Sequence, residues 1–497
     1  MILDFPLWLR ATHFLNLLFI SLLVRSGLEI LSAHPKLYWN DDCTPGSEWL
    51  RLTRKRLPEA PYRELWTSRD EEESFSSWIA LPGRRNLGLG RHWHFLADAA
   101  WLLTGLLYVT MLAATPEWRR LIPTSWSILP GAWHALRSYL SLHLVVTPGR
   151  YNPLEQLAYF SVVFLLSPLA IATGLAMSPA IAARAPWYIR LFGGRQAARS
   201  LHFLLLCAFL AFFVVHLAMV IAHGEISEMA LIVLGDIRDV RGALGLIVGL
   251  GGLAGVVVIH IVATWSSLRH PRFVQHSTQA LTDPLRRALF GSRRSVQQYA
   301  ASDISAYFRV NGRPPADAAY AAMTREHFAS FVLHVDGLVE HPLRVSLAEL
   351  RRWPKQTQIT KHCCIQGWSA VASWGGVTLG EIIRRCGPLS GARYAVFYAL
   401  DDKSTSEPDS GGPGCYYGTI DMALAVHAQT ILAYEMNGQA LPVAHGAPLR
   451  LRVESQLGFT MVKYVCRIEF VKDYREIGGG QGGWREDHQF YSQEAGI

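Results

Sequence analysis

Four histidines lie in apolar stretches of the chain, where an ionisable side chain is costly to bury and usually marks a functional site. His202 and His216 are fourteen residues apart in the run LHFLLLCAFLAFFVVH. Fourteen residues of helix end about 40° short of four turns, so both rings share one face, about 21 Å apart along the axis. Imidazole is a common metal ligand. This separation is close to that of two haems stacked across a bilayer, each of which would need a second axial histidine.

Two further histidines open other apolar stretches, His13 the first and His94 the second. Successive membrane spans alternate in direction, so one of them reaches the level of His202 and the other that of His216. We therefore predict two bis-histidine haem sites, His94 with His202 and His13 with His216. Such sites suit electron transfer, because no coordination position stays open. The alternative is that each histidine is an ordinary helix-end residue. His260 has no partner at its level and is predicted to be structural or to lie near a quinone.

A second candidate centre is the segment KHCCIQGWSAVASWGG. A thiolate is a soft ligand suited to a redox metal, and glycines allow the tight turns that hold such a loop. Cys364 is therefore a candidate metal ligand. Two alternatives are a nucleophilic thiol and a buried apolar residue.

The elements that position these residues follow from the composition. The chain has 497 residues, of which 50% are hydrophobic and 17% charged, and this fits a partly membrane-embedded protein rather than a disordered one. Five stretches approach the roughly 20 apolar residues that a membrane helix needs. They are residues 13–31, 93–114, 155–177, 201–222 and 243–265.

Beyond the fifth stretch the chain becomes polar. We predict an all-α transmembrane bundle of about five helices over residues 1–265, a basic linker over 266–302, and a strand-rich α+β domain over 303–497. The net charge of +8 does not indicate nucleic-acid binding, because the arginines flank apolar runs and no nucleic-acid motif is present. The seven cysteines form neither a disulfide framework nor the C-x-x-C pairs of zinc ribbons.

The first 265 residues resemble the cytochrome b561-like, di-haem cytochrome b subunits of the hydrogenase and formate dehydrogenase type. The resemblance rests on HFLNLLFISLLVRSG, RHWHFLADAAWLLTGLLYV and RSLHFLLLCAFLAFFVVH. It implies a four-helix haem core, two b-type haems and electron exchange with a membrane quinone.

Residues 303–475 resemble the sulfite oxidase fold, and more closely the molybdopterin-dependent catalytic subunit of bacterial methionine sulfoxide reductase. The matching runs include ISAYFRVNGRPP, CIQGWS and QLGFTMVKYVCRIEF. The resemblance implies that Cys364 begins the family's C-x-x-x-W-S motif and ligates molybdenum, with Trp368 and Ser369 completing the motif. Cys363 is outside this register.

The same resemblance implies contacts to the pterin cofactor. His445 stands where the family has Asn, and Arg450 is suited to grip a phosphate. The backbone of Met461 and Val462 and the charge of Lys463 would also face the cofactor. Other family contact positions fall at Tyr307, Phe308 and Ala399, the last replacing a Thr. The alternative for the two cations is ordinary surface charge.

Three aromatic residues, Trp368, Tyr416 and Tyr417, are predicted to line the catalytic pocket near Cys364. An aromatic setting would accept a neutral S-oxide or N-oxide better than an anion. The chain also lacks the C-A-G-N-R-R run of sulfite oxidases, which weakens sulfite as the substrate.

Together these patterns predict an enzyme, a membrane-bound molybdopterin-dependent oxidoreductase with a Mo-molybdopterin cofactor and two b-type haems. Quinol would supply electrons, and a methionine sulfoxide-like S-oxide or N-oxide would give up one oxygen atom. Two alternatives stay open, a sulfite-type dehydrogenase that donates electrons to quinone and a non-catalytic transmembrane electron conduit. Assembly as a homodimer is also left open.

The expected location is the bacterial inner membrane, as a multi-pass protein in the lipid bilayer. Loops on the side of the C-terminal domain hold twenty Lys and Arg, against seven on the other side. The positive-inside rule then favours the cytoplasmic face for this domain, whereas the related reductase works in the periplasm.

Overall fold

The computed structural model describes residues 5–59, 63, 66–145, 151–235, 243–290, 296–454 and 456–492. Within these residues, five apolar helices are long enough to cross a hydrocarbon core about 30 Å thick. They are α1 (Leu7–Ser32), α2 (Leu87–Ala114), α3 (Pro153–Ala176), α4 (Arg195–His223) and α5 (Leu244–Arg269). The predicted bundle of five helices is confirmed. Helix α1 packs along α2 and also contacts α5, while the second half of α3 packs on α4.

Helix α3 contains one π-helical turn, Val162–Leu166. Pro168 follows this turn and has no N–H to donate to a carbonyl one turn earlier, which favours such a local widening. The hydroxyl of Ser167 donates to the carbonyl of Val162 at 2.7 Å and satisfies it. The turn separates two polar residues of α3, Tyr159 and Thr173, that contact histidines of α4.

An amphipathic helix, α6 (Pro271–Phe290), follows α5 after a single residue and contacts α2. It occupies much of the segment predicted as a linker. Shorter helices complete the membrane domain. They are Trp118–Leu121, Ile128–Leu140, Pro179–Arg184, Pro186–Leu191 and Glu225–Leu234.

The C-terminal region is built from two five-stranded sheets in the described part of the chain. One has the order β10-β9-β6-β5, with β11 also paired to β9, and the other the order β4-β3-β12-β7-β8. A two-stranded ribbon, β1 with β2, lies between α1 and α2. The strands are β1 (Lys36–Leu37), β2 (Leu50–Arg51), β3 (Val332–Gly337), β4 (Leu343–Ser346), β5 (Lys355–Cys363), β6 (Ser369–Thr378), β7 (Tyr394–Asp402), β8 (Cys415–Asp421), β9 (Ile431–Met436), β10 (Gln439–Ala440), β11 (Arg450–Arg452) and β12 (Val465–Val471).

The strands bury a large aromatic and aliphatic core that includes Trp374, Phe397 and Tyr464. Short helices connect them, namely Ala318–Arg325, Leu347–Leu350, Leu379–Cys386, Lys403–Ser406, Met422–Ala425 and Trp484–Gln489. The predicted strand-rich α+β domain is therefore confirmed.

Polar contacts join the membrane helices to this domain. At the start of α4, Arg195 Nη1 and Gln196 Nε2 each donate to the carbonyl of Gly367 at 2.8 Å. Gln196 also donates to Ser369 Oγ at 2.9 Å. These contacts attach the loop that carries Cys364 to the helix that carries His202.

A second joint is formed by the loop between α1 and α2. The Ser68 N–H donates to the carbonyl of Val310 at 2.8 Å, and the Glu73 N–H donates to the carbonyl of Ser32 at 2.9 Å. A short 3₁₀ helix, Ser68–Glu71, lies between these contacts. The loop is therefore fixed to the strand domain at one end and to α1 at the other.

Candidate functional site

The rings of His94 on α2 and His202 on α4 have centroids 6.5 Å apart, with their planes at 67°. A metal–imidazole bond is about 2 Å long, so two rings on opposite sides of one iron have centroids about 6 Å apart. The pair is therefore spaced for a shared metal ion rather than for a direct hydrogen bond.

The hydroxyls beside this pair set which ring nitrogens face each other. Ser26 Oγ donates to the carbonyl of Leu22 at 2.7 Å and lies 3.0 Å from His94 Nδ1. Thr173 Oγ1 donates to the carbonyl of Leu169 at 2.8 Å and lies 3.0 Å from His202 Nδ1. Because each hydroxyl hydrogen is already used, each oxygen accepts from an Nδ1–H. Both Nε2 atoms are then free to ligate iron.

The space around the rings also suits a large planar group. A Cβ at Gly27 would lie 3.5 Å from His94 Cε1, and one at Gly174 would lie 3.7 Å from His202 Cε1. Glycine at these two positions leaves the sides of the rings uncovered. The residues present therefore fit a haem.

The second predicted pair is also brought together. His13 and His216 have ring centroids 6.2 Å apart, with their planes at 61°. Tyr159 on α3 places its hydroxyl 3.5 Å from His216 Nδ1. The geometry repeats that of the first pair about 21 Å farther along α4.

His260 has a different environment. Its Nε2 lies 2.8 Å from Ser21 Oγ and its Nδ1 lies 2.8 Å from Arg25 Nη1. Both ring nitrogens are occupied by protein groups, so the ring bridges α1 and α5.

Cys364 lies in the loop between β5 and β6, at one wall of a cleft. The residue is only 3% exposed, and its thiol lies 3.3 Å from Gln366 Oε1 and 3.8 Å from Asn311 Oδ1. Burial raises the pKa of the Cys364 thiol to about 11. Such a thiol is a poor nucleophile at neutral pH, which weakens that alternative, whereas a bound metal would displace the proton.

Two buried cations face the cleft from the side of β11 and β12. Arg450 donates from Nη1 to the carbonyl of His445 at 3.0 Å, while its buried Nε has no partner. Lys463 donates to the carbonyl of Ala444 at 3.0 Å. Burial and nearby arginines lower the pKa of Arg450 to about 9 and that of Lys463 to about 7. Neither has a carboxylate within 4 Å among the described residues, so the cleft carries positive charge that an anion would neutralise.

This chemistry fits a phosphate-bearing pterin cofactor. The buried Nδ1 of His445 also has no partner, so its replacement of the family's Asn keeps a polar group available. Met461 lines the cleft. The residues present therefore fit the cofactor: Cys364 would ligate its molybdenum, and Arg450 and Lys463 would face its phosphate.

Several predicted contacts lie elsewhere. Tyr307 and Phe308 do not line the cleft, and Asn311 and Gly312 line it instead. The Phe308 ring packs against the His445 ring, with centroids 5.4 Å apart. These two positions therefore stay predictions, and the cleft is lined a few residues further along the chain, at Asn311 and Gly312.

Ala399 and Val462 are also outside the cleft. Ala399 pairs with Val465 between β7 and β12, and Asp401 is the residue of β7 that lines the cleft. The Val462 N–H donates to Thr460 and its carbonyl accepts from Leu451, so its backbone is already used.

Of the three aromatic residues predicted to line the cleft, only one does so in this structure. Tyr416 lines the cleft, but Tyr417 points to the other face of β8, where its hydroxyl donates to Asp487 and, at 3.1 Å, to the Ile477 carbonyl. Trp368 is fully buried and donates to Gln366 Oε1 at 3.1 Å, so it supports the loop from behind. The cleft is consequently more cationic than predicted, and its aromatic lining is Tyr416, Phe459 and Tyr491.

Residues that the sequence analysis missed complete the lining. Asn311 and Gln366 lie within motifs already noted and could have been found there. Glu72, Arg485 and Tyr491 lie far from any motif. The full lining consists of Glu72, Asn311, Gly312, Cys364, Ile365, Gln366, Asp401, Lys403, Tyr416, Arg450, Gly458, Phe459, Met461, Lys463, Arg485 and Tyr491.

Comparisons with known proteins agree with the division of the chain into a membrane domain and a strand-rich domain. Residues 4–233 match the model of the prokaryotic cytochrome b561 family. Residues 320–476 match the model of the oxidoreductase molybdopterin binding domain.

Individual relatives match parts of the chain. A subunit named YedZ1, of a protein-methionine-sulfoxide reductase in Azospira oryzae, is 36% identical over 33% of this chain and 55% of its own length. The catalytic subunit MsrP of the Xanthomonas axonopodis pv. citri reductase is 32% identical over 37% of this chain and 59% of its own. The chain thus spans little more than half the length of these relatives.

One solved structure is the sulfane dehydrogenase SoxCD of Paracoccus pantotrophus, which is 22% identical over 31% of this chain and 45% of its own, with a TM-score of 0.26. This overlap is too small to compare the two folds. The two family matches are the stronger finding, because together with the helices and sheets they account for both halves of the molecule. The chain joins a membrane-embedded prokaryotic cytochrome b561 domain to a molybdopterin-binding oxidoreductase domain of the sulfite oxidase type.

Proposed function

We propose that the protein is a membrane-bound reductase that takes electrons from quinol and reduces a methionine sulfoxide-like S-oxide or N-oxide in the cleft beside Cys364. Two b-type haems are held by the histidine pairs. The observation that carries the proposal is the pair of hydrogen bonds from Gln196 to the loop of Cys364. Gln196 lies six positions before His202 on α4, so the helix that carries His202 contacts the loop of Cys364 directly.

The residues of the chain have separate tasks. When bound, the cofactors supply one-electron transfer at haem and oxygen-atom exchange at molybdenum. Ser26 and Thr173 hold the tautomers of their histidines. Arg450 and Lys463 neutralise an anion, while Gln366 holds the sulfur of Cys364 in place.

The two alternatives are less well supported. A non-catalytic conduit would not need a buried thiol and buried cations without a nearby carboxylate around one cleft. A sulfite-type dehydrogenase would use the positive charge of the cleft for its anionic substrate. Arg450 and Lys463, however, suit the cofactor's own phosphate.

The placement in the cell is a further part of the proposal. We propose domain limits of 1–265, 266–302 and 303–497, with the last domain on the cytoplasmic face of the inner membrane. The support is the excess of Lys and Arg in the loops on that side. Homodimer formation is left to a measurement of mass in detergent.

Metal analysis and a reduced-minus-oxidised spectrum of the detergent-purified protein test the cofactors. We expect about one molybdenum and two b-type haems per chain. Adding methionine sulfoxide to dithionite-reduced protein should then reoxidise the haems. Failure with a panel of S-oxides and N-oxides, or haem reduction on adding sulfite, would contradict the proposal.

A further inference from the structure

Two opposite charges face the cleft from outside the matched molybdopterin domain. Glu72 follows the short helix Ser68–Glu71 in the loop between α1 and α2, and Arg485 lies in the helix Trp484–Gln489. Both line the cleft together with Cys364. Neither falls within residues 320–476, which match the family model. Glu72 falls instead within residues 4–233, which match the cytochrome b561 model, so the cleft is lined from both domains.

The Glu72 carboxylate is close to the reacting end of the cleft. Gln366 Nε2 donates to Glu72 Oε1, while Gln366 Oε1 lies 3.3 Å from Cys364 Sγ. One amide group therefore connects the carboxylate with the sulfur. Ser68 and Glu73 fix the loop on either side, so Glu72 is held in position.

Arg485 is held by neutral groups. Its Nη1 donates to Gln489 Oε1, and its guanidinium lies 5.8 Å from the centre of the Tyr491 ring. Gln489 is itself anchored by donating to the Ser410 carbonyl at 2.7 Å. Among the described residues, no carboxylate lies within 4 Å of Arg485, so Glu72 is also farther away than this.

A carboxylate and a guanidinium that share a partly desolvated cleft without pairing favour a ligand that carries both charges. Burial raises the pKa of the Glu72 carboxyl even though Gln366 and nearby arginines lower it, and an ammonium group beside it would lower it further. An α-amino acid offers an ammonium to Glu72 and a carboxylate to Arg485. Because Cys364 is only 3% exposed, a substrate has to enter the cleft, which a small molecule does more easily than the surface of a folded protein.

We propose that Glu72 and Arg485 bind the ammonium and carboxylate of a free amino-acid S-oxide, so that free methionine sulfoxide is preferred over methionine sulfoxide within proteins. The inference rests on the proposed function and names its substrate class. It differs from the substrate in the names of the relatives, which are protein-methionine-sulfoxide reductases.

The test uses the full-length holoenzyme in detergent with reduced methyl viologen as electron donor. KM and kcat are measured for L-methionine sulfoxide, its N-acetyl derivative, its methyl ester, dimethyl sulfoxide and oxidised casein. We expect the KM of the free amino acid to be at least tenfold lower than that of either derivative. Glu72→Gln should abolish the preference over the N-acetyl derivative, and Arg485→Gln the preference over the ester.

The neighbouring Glu73→Gln serves as a control and should retain both preferences, because Glu73 holds the loop through its backbone N–H and its side chain does not line the cleft. Calorimetric titration with L-methionine sulfone gives a readout that does not depend on turnover. Its affinity should fall about tenfold in Glu72→Gln and in Arg485→Gln, and stay unchanged in Glu73→Gln. An intact haem spectrum shows that a variant has folded.

The outcomes separate the two proposals. If no oxide is reduced, the proposed function is wrong. If all the small oxides are reduced with equal kcat/KM, or if oxidised casein is preferred, the reductase function stands and the zwitterion site is overturned. The substrate series on the unmodified enzyme decides this even if a variant fails to fold.

Discussion

At the scale of single residues, the chemistry depends on which atom of a side chain is left free. Ser26 and Thr173 each use their hydroxyl hydrogen within their own helix, so they accept from a histidine Nδ1–H. This leaves the opposite nitrogen of each ring for iron. The same principle applies to Arg450, whose unpartnered Nε is available for a phosphate.

Thr173→Val tests the role of the hydroxyl. The lost acceptor makes the His202 imidazole less basic, so we expect the midpoint potential of one haem to rise. The affinity for this haem should fall about 10-fold. A redox titration of the haem bands measures both. Thr104→Val is the matched control, since Thr104 bonds only within α2. An unchanged potential in Thr173→Val would argue against ligation by His202.

Cys364→Ser tests the metal ligand. The hydroxyl is a harder ligand than the thiolate, so we expect molybdenum content and dye-driven turnover to fall to background while both haems remain. Cys363→Ser is the control, because Cys363 is at the end of β5 and does not line the cleft. Equal loss in both variants would indicate a folding defect rather than a lost ligand.

At the scale of elements, the start of α4 begins an apolar membrane helix and also donates hydrogen bonds to the loop of Cys364. Gln196→Ala removes two hydrogen bonds to this loop. We expect quinol-driven turnover to fall while dye-driven turnover changes little, because the proposed electron path from haem to molybdenum would cross this contact. Gln279→Ala removes only a contact to Ser492 and serves as the control. A parallel loss of both activities would mean that Gln196 only stabilises the loop.

At the scale of the whole molecule, the two histidine pairs would set the order of the proposed electron path across the bilayer. The pair of His13 and His216 lies at the end of α4 far from the strand domain. His216→Ala should remove one haem from the spectrum and abolish quinol-driven activity, while dye-driven activity persists. Retained quinol oxidation would place the quinol site beside the other haem.

The side of the membrane can be measured with Cys415, an exposed residue of the strand domain. A membrane-impermeant maleimide should label it in inverted vesicles and not in spheroplasts. The opposite pattern would contradict the cytoplasmic placement. Some basic residues behind that placement have a structural reason to be there, since Arg195 and Arg199 bond to carbonyls of other segments.

The sequence by itself determined the features that depend on neighbours along the chain. Apolar stretches of about 20 residues fix the spans, helical periodicity puts His202 and His216 on one face, and short motifs identify the region of Cys364. Strand periodicity could also have indicated that Tyr416 and Tyr417 do not face the same cleft, because adjacent residues of a strand point to opposite faces.

Only the tertiary structure decided which distant segments complete the cleft. Glu72 comes from a loop between membrane helices and Arg485 from the segment after the last strand. Nothing in their own neighbourhoods indicates this, because their position depends on packing between elements hundreds of residues apart. Local patterns specify helices, strands and motif loops, whereas the charges that meet across a cleft are set by how the two domains pack together.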